Sequence, residues 1–292
     1  MANFILSAFA DEAGDSLKEQ IAALKANDIS LIEPRSIDGK GILTFSDNEL
    51  ADIERELSEN GIKVGSLGSP IGKYEITESF DVHLELFKKA LNACKILKTD
   101  KMRMFSFFVK QDELAKYRDE VIARLRTMVS LATDVGGTLC HENESAIYGQ
   151  MPAEVRDILT NVEGIKGIFD PANYRMNDGD IMDGINATLI NLSYLHIKDA
   201  CYSEQAILPA GEGEGRIADV LNIVDKHTDD TIMLTIEPHL FKFMAYANID
   251  AHELKGKYSF NNNRESFDFA VNSLKKLLIN IGYREENGIW KK

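Results

Sequence analysis

The chain has 292 residues, 44% of them hydrophobic, and 47 acidic against 33 basic side chains give a formal charge of −14. That balance argues against a nucleic-acid binder, which gains affinity from clustered Lys and Arg; the one basic cluster is the terminal Lys291–Lys292. No run approaches the roughly 20 apolar residues that span a bilayer, and Cys94, Cys140 and Cys201 are too few and too scattered for a disulfide framework.

The opening stretch, MANFILSAFADEAG, lacks a basic region and meets acids at once, so Phe4–Ala8 reads as a first strand rather than a signal peptide. With unpaired cysteines, the cytoplasm is the expected compartment. A helix is predicted over Ser16–Asn27, with Leu17, Ile21 and Leu24 on one face. Ile29–Glu33 is the second strand, and a helix over Asn48–Asn60 aligns Leu50, Ile53 and Leu57. Ile62–Leu67 leads into the loop SLGSPIGK and a long helix through Leu97 that aligns Leu84, Phe87, Leu91 and Cys94. Lys101–Phe108 is the fourth strand, and Asp112–Asp134 its helix, with Val121, Leu125, Met128 and Ala132 aligned. The helices follow the amphipathic period, and the strands are short apolar runs of the kind buried on both faces.

Thr138–Glu142, Gly167–Asp170, Tyr194–Ile197 and Ile232–Glu237 continue as strands five to eight. Their helices fall near Pro152–Asn161, Asp180–Ile190, Ile217–His227 and Arg264–Ile281. Eight β–α units without a composition break predict an α/β fold: a single (β/α)8 TIM barrel domain over residues 1–292. An open doubly wound sheet would bring a glycine-rich phosphate turn after an early strand, and the sequence has none. One connection is out of scale. The 24 residues Leu240–Asn263, rich in aromatics (Phe241, Phe243, Tyr246, Tyr258, Phe260), form a long loop after strand eight. A lid over the site, a surface excursion or a homo-oligomer contact would each explain it.

In a parallel barrel the chemistry sits at the C-terminal ends of the strands. Four successive runs end on such residues: GTLCHENE at Glu142, GIKGIFDPANY at Asp170, LSYLHIKDA at His196 and TIMLTIEPHL at Glu237. Each alone has an ordinary explanation, as a cap, a turn former before Pro171 or a satisfied core histidine. Together, at one barrel face, they form a mixed O/N ligand set for one divalent metal ion. Mn²⁺ or Mg²⁺ is favoured, and Zn²⁺, Co²⁺ or Fe²⁺ is compatible. Clustered carboxylates without a cation would repel one another. Glu33, Lys73, Arg103, Lys198 and His239 point by position at the same mouth and are the candidates for substrate binding. His141 and Glu144 rank below them, since strand alternation turns His141 away from Glu142.

At these residues the chain resembles the sugar phosphate isomerase/epimerase group of the xylose-isomerase-like barrel superfamily, over essentially its full length. The resemblance is carried by ENE at Glu142–Glu144, FDPANY at Phe169–Tyr174, LHIKDA at Leu195–Ala200, PAGEGEG at Pro209–Gly215 and IEPHL at Ile236–Leu240. GSPIGK at Gly68–Lys73 and RMFSFF at Arg103–Phe108 are similar to the third- and fourth-strand signatures of one branch. It implies Glu142, Asp170, His196 and Glu237 as metal ligands and Glu142 and Glu237 as the acid/base pair. It also implies a small sugar, keto-sugar or sugar-phosphate substrate, isomerised or epimerised through a metal-stabilised enediolate. No His follows Asp170 within PANYRM, where ketose 3-epimerases hold a substrate-binding one, which argues against free ketoses. Two other outcomes fit the same residues: elimination, as in keto-inositol dehydratases or 3-keto-glycoside lyases, and a non-catalytic sugar-binding barrel. PAGEGEG, with two acids, is expected to be a wall rather than a phosphate cradle.

Overall fold

Short apolar runs that end on polar residues form the staves of a closed parallel barrel. The computed structural model describes residues 1–241 and 258–292. Its barrel strands are β1 (Asn3–Ala8), β2 (Leu31–Ile32), β3 (Lys63–Val64), β4 (Lys101–Met104), β5 (Thr138–Glu142), β6 (Lys166–Phe169), β7 (Leu192–Ile197) and β8 (Thr231–Ile236). The helices between and after them are α1 (Leu17–Ala26), α2 (Asp47–Glu59), α3 (Phe80–Ile96), α4 (Leu114–Thr133), α5 (Pro152–Asn161), α6 (Ile181–Thr188), α7 (Ile217–His227) and α8 (Asn263–Asn280). A short extra helix, Pro171–Met176, follows β6 directly. Local chemistry sets several of these boundaries. Ser16 with Glu19 and Ser46 with Glu49 form capping boxes at the starts of α1 and α2, satisfying amides that the first turn leaves open.

Parallel pairing runs β4–β5–β6–β7–β8–β1, and β2 pairs with β3. A few backbone bonds close the ring: Glu33 N–H to Ala8 O joins β2 to β1, and Leu67 N–H to Lys101 O with Arg103 N–H to Leu67 O joins the end of β3 to β4. The β1–β2 contact is thin for a visible reason. A C-terminal hairpin, Arg284–Glu286 and Ile289–Lys291, pairs antiparallel with the start of β1, placing Trp290 opposite Phe4. The β1 edge is therefore shared, hairpin below and β2 above. The sequence reading does not include this hairpin, because its partner lies at the other end of the chain.

The fourth strand is shorter than predicted. It stops at Met104, and the amides of Phe105 and Phe107 turn to the carbonyls of Ile71 and Gly72 in the GSPIGK loop. The long loop is described only at its ends. Tyr258 and Phe260 pack on Phe269 of α8, at 5.0 and 5.4 Å between ring centroids. Phe243, Met244 and Tyr246, and with them the choice between lid, surface excursion and oligomer contact, lie outside the described residues. Among the described residues no helix is long and apolar enough to cross a membrane.

Candidate active site

Strand alternation builds the site in layers. Cys140, Ile168, Tyr194 and Met233 form an apolar floor inside the barrel, with Ile5 and Leu31 packed on it. Two residues further along each strand the same face carries Glu142, Asp170, His196, Thr235 and Glu33. Two further again it carries Lys198, Glu237 and Arg35. The sequence thus changes from apolar to ionisable at one height around the barrel, toward the C-terminal face.

Glu142, Asp170, His196 and Glu237 are all buried, and one ligand atom from each lies within 4.8 Å of the others. His196 is central. Its Nδ1 is 3.0 Å from Glu142 Oε1 and 3.6 Å from Glu237 Oε2. Asp170 divides its labour: Oδ1 accepts from the Asn173 amide and caps the short helix, while Oδ2 faces the cluster, 3.2 Å from Lys198 Nζ but without a hydrogen bond. Each glutamate turns one oxygen inward and gives the other to an arginine. Glu142 Oε2 accepts from Arg103 at 3.2 Å, and Glu237 Oε1 accepts from Arg35 at 2.9 Å. Both guanidinium groups lie over the Phe9 ring, at 4.8 and 4.4 Å.

The charges of these side chains do not balance. Asp11, Glu12, Glu33, Glu142, Asp170 and Glu237 are buried carboxyls, and the permanent cations among them are Arg35, Arg103 and Lys198. The side chains by themselves therefore draw protons in. Burial pushes the Asp170 carboxyl up to about 7, only partly offset by Lys198. Burial alone would lower the His196 imidazole, but Glu142 and Glu33 raise it to about 10. Burial raises Glu12 to about 8, against the pull of Arg35. For Glu142 the neighbours outweigh burial: His196 and Arg103 hold it at about 2, and Lys198 and His239 keep Glu237 well below the usual carboxylate range. Surplus carboxylate, the convergent ligand atoms and the unbonded Asp170 Oδ2 together fit a divalent cation held by O and N donors.

The substrate-binding candidates divide. Arg103 and Lys198 join the cluster. Lys73 stands at the rim, half-buried, paired with Glu144 at 3.0 Å and lying over the Phe105 ring. Glu33 is corrected: it is fully buried beneath His196, 3.4 Å from Nε2, and its oxygens accept from Tyr194 and Thr235, so it braces the imidazole from below. His239 faces Glu12 and Glu237, at 3.4 and 3.2 Å from Nε2. His141 points out of the barrel as alternation predicts, 2.9 Å from Ser106 Oγ. In PAGEGEG the amides of Gly211, Gly213 and Gly215 all donate to the Asp199 carboxylate, so this loop cradles an anion that the chain itself supplies. A Cβ on Gly213 would lie 2.3 Å from Asp199 Oδ1, which accounts for the glycine there.

Several residues at the site stand outside the ranked candidates, although Arg35 and Asn143 are visible in the sequence as polar strand-end residues. Arg35 bridges Asp11, Glu12 and Glu237. Asn173 donates to Glu142 Oε1 at 3.2 Å, and Asn143 exchanges two 2.9 Å bonds with the Asp170 backbone. The neighbouring motifs ENE and DPAN hold both asparagines, and two amide side chains beside two predicted ligands were the available signal.

The family described as xylose isomerase-like TIM barrel matches residues 20–243. The chain belongs to that family. No curated protein matches it by sequence. Among solved structures, the barrel superposes on the probable 3-DHS dehydratase AsbF involved in petrobactin synthesis from Bacillus anthracis. The TM-score is 0.71 at 14% identity, covering 94% of this chain and 99% of that one. A D-psicose 3-epimerase solved in the presence of D-fructose gives 0.69 at 16% identity, with 95% and 99% covered. The IOLI protein with a binding zinc atom gives 0.70 at 14% identity, with 95% and 97% covered. At these identities the likeness speaks for the fold. The family fold is thus common to proteins described as an epimerase and as a dehydratase.

Proposed function

We propose that this barrel is a divalent-metal-dependent isomerase or epimerase of a sugar, keto-sugar or sugar phosphate. The observation that supports it most is the convergence of Glu142, Asp170, His196 and Glu237 on one point among surplus buried carboxylates. Those four residues would hold the ion, Mn²⁺ or Mg²⁺ by preference for oxygen donors, with Zn²⁺, Co²⁺ or Fe²⁺ compatible. When bound, it supplies Lewis-acid polarisation of the substrate carbonyl.

The remaining chemistry belongs to the chain. Glu142 and Glu237 flank His196 Nδ1, and both are kept ionised by their cationic neighbours. One glutamate removes the proton α to the carbonyl, giving an enediolate. The acid so formed returns the proton to the neighbouring carbon for aldose–ketose isomerisation; for epimerisation the glutamate across the site, having first taken a proton from water, delivers it to the opposite face. Arg103 and Arg35 fix the two carboxylates, and Glu33 fixes the imidazole, so the proton-transfer groups are positioned before substrate arrives. Lys73, at the rim, is placed to meet an outlying oxygen or phosphate.

A panel of sugars, keto-sugars and their phosphates, incubated with Mn²⁺ in D₂O and followed by NMR, tests this reading. Deuterium at the carbon beside the carbonyl of one substrate, with an isomer or epimer as product, is the expected result. Loss of a group β to the carbonyl would assign elimination instead. Binding without exchange across the panel would make the protein a sugar-binding barrel.

A further inference from the structure

The two carboxylate oxygens best placed for a metal already have a cation beside them. Asp170 Oδ1 is committed to the Asn173 amide and Glu237 Oε1 to Arg35, which leaves Asp170 Oδ2 and Glu237 Oε2 facing the cluster. Lys198 Nζ stands between them, at 3.2 and 3.3 Å. The lysine is carried there by the alternation that places His196 two residues earlier. The next residue, Asp199, is fastened by the amides of Ala200, Gly211, Gly213 and Gly215, so the strand end beneath Lys198 is anchored and its side-chain arm is what can move. Lys198 is 6% exposed, and an ammonium at that depth needs a carboxylate beside it.

We propose that the Lys198 ammonium is the site's own counter-cation, competing with the divalent ion for Asp170 Oδ2 and Glu237 Oε2. This rests on the metal reading above. A dication that binds both oxygens takes Lys198's partners away and stands within a few ångströms of its charge. Metal binding therefore displaces the ammonium toward the mouth, and Lys198 sets how tightly the site holds its ion. The role is distinct from ligation and from proton transfer, since Lys198 acts through the oxygens it occupies.

Mn²⁺ titration followed by the EPR signal of the free ion, at fixed ionic strength and without substrate, tests the proposal. Lys198→Met is expected to bind Mn²⁺ about tenfold more tightly, or better, because a like charge beside the ion has been removed. Thermal unfolding supplies a second readout: Lys198→Met should melt below wild type in EDTA and gain more from Mn²⁺ than wild type does. Lys198→Gln serves if the methionine variant does not fold. Lys63→Met, at an exposed position at the start of β3, changes the net charge equally at the opposite end of the barrel and should leave affinity unchanged. Equal or weaker binding by the Lys198 variants overturns the proposal and leaves the metal reading standing. So does equal tightening by Lys63→Met, which would make the effect one of net charge. If neither wild type nor the Lys198 variants bind Mn²⁺, the metal reading fails and this inference with it.

Discussion

Glu142 and Glu237 face each other across His196 with the same plan, one oxygen inward and one on an arginine, but their supports differ. Arg103 has Glu142 as its one carboxylate partner among the described residues, and its Nε finds no acceptor there. Arg35 is shared among Asp11, Glu12 and Glu237. Arg103 depends on a single buried carboxylate; Arg35 sits in a network that can lose a member. Equivalent positions in a reaction need not be equivalent in stability, because a buried charge costs most when its last partner goes.

The largest expected effect is common to both sides. Glu142→Gln and Glu237→Gln should each slow α-proton exchange with D₂O by about 10²- to 10⁴-fold, the usual contribution of a positioned acid or base. An exchange rate near wild type in either variant would remove that residue from the acid/base pair. Stability should then separate the two. In EDTA, Glu142→Gln strands Arg103 and should cost about 3 kcal/mol, whereas Glu237→Gln leaves Arg35 two carboxylates and Lys198 one, and should cost about 1 kcal/mol. Equal losses in urea denaturation would contradict the contrast. Phe9→Leu removes the ring beneath both guanidinium groups and should cost about 2 kcal/mol, with both glutamate variants adding less than their separate costs in double-mutant cycles.

A separate effect is in pH. Burial raises Glu12 from 4.5 to about 8, so the folded chain holds this proton more tightly than the unfolded chain. The stabilisation is full below pH 4.5 and is lost as pH rises toward 8. Glu12→Gln should flatten the fall of Tm across that window, and an unchanged slope would show that Glu12 is not the group that titrates.

The contrast also shows what a sequence can disclose. β5, α5 and α7 fall where periodicity puts them, because local apolar spacing decides them. The four clustered residues were legible because a polar side chain ending an apolar run has few structural uses when four runs repeat it at one barrel face. The arginine network was not legible. Arg35 and Glu237 are 202 positions apart, and nothing local in IEPRS or IEPHL marks them as partners. Glu33 was visible as a strand-end acid, but alternation gives the face of the barrel and not the depth, so its place below His196 could not be read. The C-terminal hairpin was missed for the same reason as the Arg35–Glu237 pairing: its contact with β1 spans nearly the whole chain.

Metal content tests the central claim most directly. After incubation with Mn²⁺ and gel filtration, elemental analysis should find about one ion per chain in the wild type. Asp170→Asn keeps an oxygen for the Asn173 cap but removes the inward carboxylate, and should retain little or none. A wild-type chain that binds no Mn²⁺, or an Asp170→Asn chain that binds it as well as wild type, would contradict the account.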